Sequence, residues 1–183
     1  MGVIAQEGDA LSRVAYPDME EVSKQTDQTC NLYTLVGYRR LCIKQVTGAK
    51  YIRRYSFLGA RYPLHCRAGK LLLACAGEDF INDFFREVEL KKYTENTITD
   101  EAQVRAELPK IREKGYSISL GERDPSTAMV SMPLYDYTNK VVASITVSGP
   151  AFYYTDENVK KYMTGLRTAF RNISRKMGYA GHI

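Results

Sequence analysis

AMVSMPLYDYTNKVVASITVSGP, residues 128–150, is the stretch whose reading decides the fold. Two half-buried strands, 128–135 and 141–147, flank the turn residues Asp136, Tyr137, Thr138 and Asn139, the pattern of a β-hairpin. The second strand trades bulk for hydroxyls at Thr146 and Ser148, and Gly149 and Pro150 are expected to stop it. A strand that ends in small polar residues can line a cavity for a small polar molecule. Ligand sensing is therefore the first function to test and catalysis the second.

Working outward, the strand pattern recurs on the N-terminal side. Residues 28–35 and 40–46 read as strands around the turn Val36, Gly37, Tyr38, and residues 51–56 as a third strand after the break at Thr47 and Gly48. Pro63 keeps the next segment extended, and residues 68–76 read as a short buried helix closed by Gly77. Phe80, Ile81, Phe84, Phe85 and Val88 recur at helical spacing over 78–88, an aromatic stripe best read as core. Thr97, Thr99 and Asp100 offer capping oxygens to a helix over 101–114 with Val104, Leu108 and Ile111 on its apolar face. Pro109 is expected to bend or shorten that helix, Gly115 to end it, and residues 116–120 read as a strand.

Both ends read as helix. Leu11, Val14, Ala15, Met19 and Val22 recur at helical spacing, with Pro17 forcing a kink or a restart. Residues 1–8 read as a loose leader, 9–27 as an N-terminal or linker helix, and 28–180 as the body. Past the hairpin, Thr155 caps a long helix with Val159, Met163, Leu166, Phe170, Ile173 and Met177 on one face, ended by Gly178. That face is a seat on the sheet, or alternatively a dimer seam. The order of elements predicts an α+β domain, a mixed and largely antiparallel sheet with helices packed on it.

Composition excludes several classes. The 183 residues suffice for one domain with a sizeable core, and no run approaches the ~20 apolar residues of a membrane span. The lack of an apolar signal core points to the cytoplasm. The formal charge of +5 comes from basic pairs scattered among acids, at Arg39–Arg40, Arg53–Arg54, Lys91–Lys92 and Lys160–Lys161. DNA affinity needs cations gathered on one face, so these pairs read as solvated surface and the chain itself as a poor DNA binder. Cys30, Cys42, Cys66 and Cys75 form no CxxC pair, and with two histidines no zinc cluster is expected. Cys30, Cys42 and Cys75 read as small core residues. Cys66, next to His65, is the one candidate for a nucleophile.

Six segments taken together resemble one family: PLHCRAGKLLLA at 63–74, YTENTITD at 93–100, RAELPKIREKGYSIS at 105–119, SMPLYD at 131–136, VVASITVSGP at 141–150 and ISRKMG at 173–178. In this order they resemble the C-terminal effector-binding domain of the IclR family of bacterial transcriptional regulators, over residues 9–180. The resemblance implies a GAF-like fold, a six-stranded, mostly antiparallel sheet flanked by helices. It also implies a homodimer or homotetramer, with a helix leading to a winged helix-turn-helix domain that reads operator DNA. No such module precedes Asp9, so the chain is expected to be the sensor half of a regulator. Its partners would be a small-molecule effector, an organic, aromatic or sugar acid, and operator DNA only through that other domain. Neither cofactor, metal nor membrane is implied.

The family's pocket positions fall on Ala68 and Gly69 at the start of the buried helix, Ser119, Thr127 and Met129, and the hydroxyls Thr146 and Ser148. Unpaired amides at a helix start favour an anion, so Ala68 and Gly69 are expected to hold a carboxylate while the hydroxyls orient the remaining polar atoms and Met129 supplies an apolar wall. The chain departs from the family in a loop shortened by one residue at 65–69, in Ser126 where a glycine is usual, in Gly121–Glu122 where two acids are usual, and in Ser119 where an acid can stand. Two competing functions remain at this stage. One is a thiol enzyme resembling the free-methionine-sulfoxide reductases, with Cys66 activated by His65 and resolved by Cys75. The other is a structural oligomerisation domain.

Overall fold

The computed structural model describes residues 2–49 and 57–181, with side chains from residue 8 onward. The chain runs α1 (Gly2–Thr26), β1 (Thr29–Val36), β2 (Arg39–Val46), β3 (Arg61–Pro63), α2 (Gly69–Cys75), α3 (Glu78–Glu87) and α4 (Glu101–Lys114). It continues with β4 (Ser117–Leu120), β5 (Thr127–Tyr135), β6 (Val141–Pro150), a 3-10 turn (Ala151–Tyr153) and α5 (Asp156–Lys176). The strands form one six-stranded sheet in the order β3-β2-β1-β6-β5-β4, every neighbouring pair antiparallel. This is the α+β architecture expected. The strand expected at 51–56 lies outside the described residues; Arg61–Pro63 forms β3, paired with β2.

Local chemistry accounts for the turns. Gly37 takes φ +54° between β1 and β2, a left-handed conformation that costs glycine little. The β5–β6 turn is held by the Asp136 carboxylate, which accepts from the Thr138 amide at 2.8 Å and its hydroxyl at 2.6 Å, while Asn139 takes φ +60°. Asp100 caps α4 by accepting from the Gln103 amide at 2.8 Å, and Gly115, at φ +72°, ends it. β6 runs on to Pro150 where a stop at Gly149 was expected, because Ala128 and Thr127 still pair with Gly149 and Pro150.

Neither internal proline breaks its helix: α1 continues through Pro17 and α4 through Pro109. Both prolines are exposed, so the carbonyl each leaves without an intrahelical donor can turn to water while the opposite face stays packed. α1 also begins at Gly2, ahead of the start read from the apolar pattern.

Three layers result. Val130, Met132 and Leu134 of β5, Ala143, Ile145 and Val147 of β6, and Cys30 and Leu32 of β1 pack against Leu11, Ala15, Met19 and Val22 of α1 and Met163, Leu166 and Ile173 of α5. The other face, carrying Tyr33, Cys42 and Met129, meets Leu71, Leu72 and Leu73 of α2, Ile81 and Phe84 of α3, and Val104, Leu108 and Ile111 of α4. The stripe on α5 is thus a seat on the sheet.

Candidate functional site

Strand register brings the polar residues together. Directly opposed residues in an antiparallel sheet project to the same face. One row runs Ser119, Met129, Ser148, Thr29 across β4, β5, β6 and β1. The next runs Ser117, Ser131, Thr146, Asn31, Gln45. Thr127, opposite Pro150, continues the same face. This is the face that α2 covers, since Met129 belongs to the α2 core. Ala68, immediately before α2, is buried in that layer with Met129, whereas Gly69 packs against the backbone of Pro63 and Leu64.

The row is buried and hydrogen-bonded. Thr146 and Ser148 are inaccessible to solvent, as are Asn31 and Ser144. Gln45 donates to Asn31 Oδ1 at 2.8 Å, Asn31 Nδ2 donates to Ser148 Oγ at 2.7 Å, and the hydroxyls of Ser131 and Thr146 share a bond of 2.9 Å. Ser144, opposite Tyr33 and Pro133 on the same face, has no partner for its hydroxyl among the described residues. Thr127 stands apart chemically, because its hydroxyl donates to Asp124 O at 3.0 Å within its own turn.

The start of α2 differs from expectation. The Gly69 amide donates to Cys66 O at 3.2 Å and the Lys70 amide to Arg67 O at 3.3 Å, so Gly69 offers no free N–H to a ligand. The Arg67 amide, just before Ala68, is held by an internal carboxylate. Glu122 accepts from the Arg67 amide at 2.6 Å and from Ser119 Oγ at 2.8 Å, and its other oxygen pairs with the Lys70 ammonium. Lys70 also meets Glu107 at 2.7 Å. Burial pulls the Lys70 pKa down, but the two carboxylates outweigh it and the net direction is up. Gly69 is required for packing: a methyl there would lie 2.5 Å from Pro63 O and 2.6 Å from Leu64 Cα.

Beside this turn lie three arginines, of which Arg40 was expected on the solvated surface. Arg40 is fully buried, its guanidinium 5.0 Å from the Tyr33 ring centroid and 5.2 Å from that of Tyr62. Its Nη1 donates to Pro63 O at 3.0 Å and Cys66 O at 2.8 Å, while Nε and Nη2 have no partner among the described residues. Arg67, 4% exposed, takes φ +58° and leaves its Nη2 without a partner among the same residues. Burial first, then the neighbouring charges of Arg40 and Arg123, hold the Arg67 pKa below the usual value. Arg123 lies 4.9 Å from the Tyr62 ring and 5.5 Å from the Tyr93 ring. His65 stacks on Tyr93, its Nε2 2.9 Å from Lys91 O, and burial lowers its pKa. Strand periodicity could have found Arg40, which shares the inner face of β2 with Cys42. Arg67, Glu122, Asn31 and Ser131 needed the register and the loop path.

Thiol chemistry finds little support here. Cys66 is fully buried, and burial pushes its pKa up; His65 aims its Nε2 at a backbone carbonyl rather than at the thiol. Cys75 is pushed up to about 11 by burial. Neither is an activated thiolate. Among the described residues no group of three or more His, Cys, Asp or Glu is placed to hold a metal, and no helix is long and apolar enough to cross a membrane.

Comparison with known proteins places these features in a family context. Residues 6–175 match the family model described as bacterial transcriptional regulator IclR C-terminal. The chain is 32% identical over 180 residues to the HTH-type transcriptional regulator KdgR of Escherichia coli K12, covering 98% of this chain and 68% of that protein. To KdgR of Dickeya chrysanthemi it is 31% identical, covering 98% of this chain and 59% of that protein. The structure is similar to the crystal structure of Thermotoga maritima IclR, with TM-score 0.87 and 32% identity over 92% of this chain and 69% of that one. It is also similar to the C-terminal domain of E. coli KdgR, with TM-score 0.84 and 31% identity over 92% of this chain and 99% of that domain. The chain thus spans about three fifths to two thirds of the length of these regulators.

Proposed function

The chain belongs to the IclR family of bacterial transcriptional regulators, through that family's C-terminal domain, and from this premise we propose that it senses a small organic or sugar acid on behalf of an operator-reading domain. Residues 28–180 form the sensing body and α1 the link to a winged helix-turn-helix domain. The observation that carries the reading is the pair of adjacent rows of hydroxyls and amides, with Ser119, Ser148, Ser131, Thr146 and Asn31 buried, on the face of the sheet under α2. A core that needed only stability would be apolar there, as the opposite face is.

The effector would act by binding one arrangement of α2 and the 65–69 turn better than another. It can shift the equilibrium only by that difference, typically ~1–3 kcal/mol. The route outward is short. β1, whose Asn31 bonds Ser148, begins three residues after α1 ends. Ser23 of α1 donates to Gln28 O at 2.9 Å, and the Gln28 amide donates to Thr26 Oγ1 at 3.2 Å, which ties that junction together. We propose binding without turnover, as a homodimer or homotetramer.

The test is the unfolding midpoint of the chain with a panel of organic and sugar acids, on the wild type and on Thr146→Val. At least one acid should raise the midpoint of the wild type and less so that of T146V. A panel that leaves the wild-type midpoint unmoved would refute the reading. Native mass spectrometry under gentle conditions reports subunit number, and a monomer at micromolar concentration would refute the assembly.

A further inference from the structure

The unpaired donors beside the polar row are cationic, and they carry an inference about what the site takes. Arg40 uses only Nη1 toward protein, on two backbone carbonyls. Of the five N–H directions of a guanidinium, those on Nε and Nη2 are buried without a partner among the described residues. Arg67 repeats the situation with Nη2, from a left-handed backbone position that a bulky side chain rarely adopts. Two carboxylates of this layer, Glu122 and Glu107, are committed to Lys70. Burying a guanidinium with N–H groups left open is costly unless an anion meets them. The Arg67 amide cannot be that anion's seat, because Glu122 already holds it.

We propose that Arg40 and Arg67 form an anion clamp at the edge of the polar row, so that the ligand is a small hydroxylated molecule carrying two oxyanion groups. This rests on the sensing site proposed above and specifies its chemistry. One oxyanion lies against the open Nε and Nη2 of Arg40, whose guanidinium is fixed by Tyr33, Tyr62 and the carbonyls of Pro63 and Cys66. The other lies against Arg67 Nη2. A ligand hydroxyl meets Ser144, which stands opposite Tyr33 and has no partner among the described residues. A neutral polyol would fill the row and leave both guanidiniums open.

A matched four-carbon series tests this by calorimetric titration of the folded chain: erythritol with no carboxylate, erythronate with one and meso-tartrate with two. Affinity should rise along the series by about 10-fold per carboxylate, the worth of a charge-assisted hydrogen bond. Arg67→Met and Arg40→Met should each weaken meso-tartrate by about 10-fold and leave erythritol unchanged. R67M keeps the test available should R40M, which loses the loop carbonyls, fail to fold. Glycerol 3-phosphate asks whether one oxyanion is phosphate; binding tighter than meso-tartrate with the same arginine dependence supports the clamp and assigns phosphate. Equal affinity along the series, or meso-tartrate binding that both arginine variants leave within about 2-fold of wild type, overturns the clamp. Silence from every acid of the series overturns it too. Erythritol binding that is weakened by T146V would then show that the sensing reading survives without the clamp.

Discussion

Replacing Glu122 by Gln tests the account of the α2 turn most directly, because this carboxylate does three things at once. It accepts from the Arg67 amide and the Ser119 hydroxyl and neutralises Lys70, whose side chain is 5% exposed. Hydrogen bonds to a charged group contribute ~1.5–3 kcal/mol and neutral ones ~0.5–1.5, so each bond should lose about 1 kcal/mol and the set about 3. Glu107 remains on Lys70, which keeps the loss at the low end of the ~3–5 kcal/mol for an orphaned buried charge. At ~2–4 °C per kcal/mol for a chain of this size, the midpoint should fall by about 6–12 °C. A double-mutant cycle with Lys70→Met isolates the pair, and E122Q combined with K70M should be less damaging than the summed singles by at least ~1.5 kcal/mol. The pH dependence adds a sign. The Lys70 pKa is raised in the fold, so its contribution is present below the ordinary lysine value of ~10.4 and is lost as pH climbs through the folded value. The advantage of wild type over K70M should therefore shrink only in strong alkali. An E122Q loss below ~0.5 kcal/mol, the range of ordinary surface changes, or an additive cycle, would refute the reasoning.

Gly69→Ala sets a helix-propensity gain of ~1 kcal/mol against a methyl pressed onto the backbone of Pro63 and Leu64; the clash is with atoms that cannot swing away, so urea unfolding should show a net loss of ~1–3 kcal/mol. His65→Asn removes a histidine that burial holds neutral. In wild type the unfolded chain takes up that proton first, so stability should fall with acidification below the ordinary value of ~6.5, by up to ~1.4 kcal/mol per pH unit, and H65N should flatten this slope between pH 7 and 5. Cys66, fully buried and with its pKa raised, should resist iodoacetamide at neutral pH until urea opens the fold, whereas the partly accessible Cys75 labels earlier; peptide mapping that finds Cys66 alkylated first would revive a reactive thiol.

The sequence made the sheet legible because its strands alternate on a face that is apolar on one side. Val130, Met132 and Leu134 against Ile145 and Val147 demand one register and no other. Neither a restart at Pro17 nor a shortening at Pro109 occurs, for a reason the sequence does not contain. Pro17 and Pro109 each remove one hydrogen bond, but whether that breaks a helix depends on which side meets water, and both fall on the outer side. β3 at Arg61–Pro63 went unread because its pairing is settled by the path of the 57–63 loop back to β2, where Gly59 donates to Cys42 O at 2.8 Å and Cys42 to Ala60 O at 3.1 Å.

The site divides along the same line. Hydroxyls at Thr146 and Ser148 can be read from β6 alone, yet their partners cannot: Asn31 lies 117 residues from Ser148 and only the antiparallel pairing of β1 with β6 brings them to 2.7 Å. Charge shows the converse. Arg39 and Arg40 look alike as a basic pair, but adjacent strand residues face opposite ways, so one is exposed and the other fully buried against two tyrosines. Glu122 carries the deepest consequence. From sequence, a helix start preceded by small residues invites an external carboxylate. In the fold, the chain's own Glu122 carboxylate holds the Arg67 amide, and the guanidiniums of Arg40 and Arg67 keep donors without an acceptor among the described residues. An internal carboxylate thereby shifts the open positive charge of the site toward side chains, and with it the groups that discriminate one acid from another.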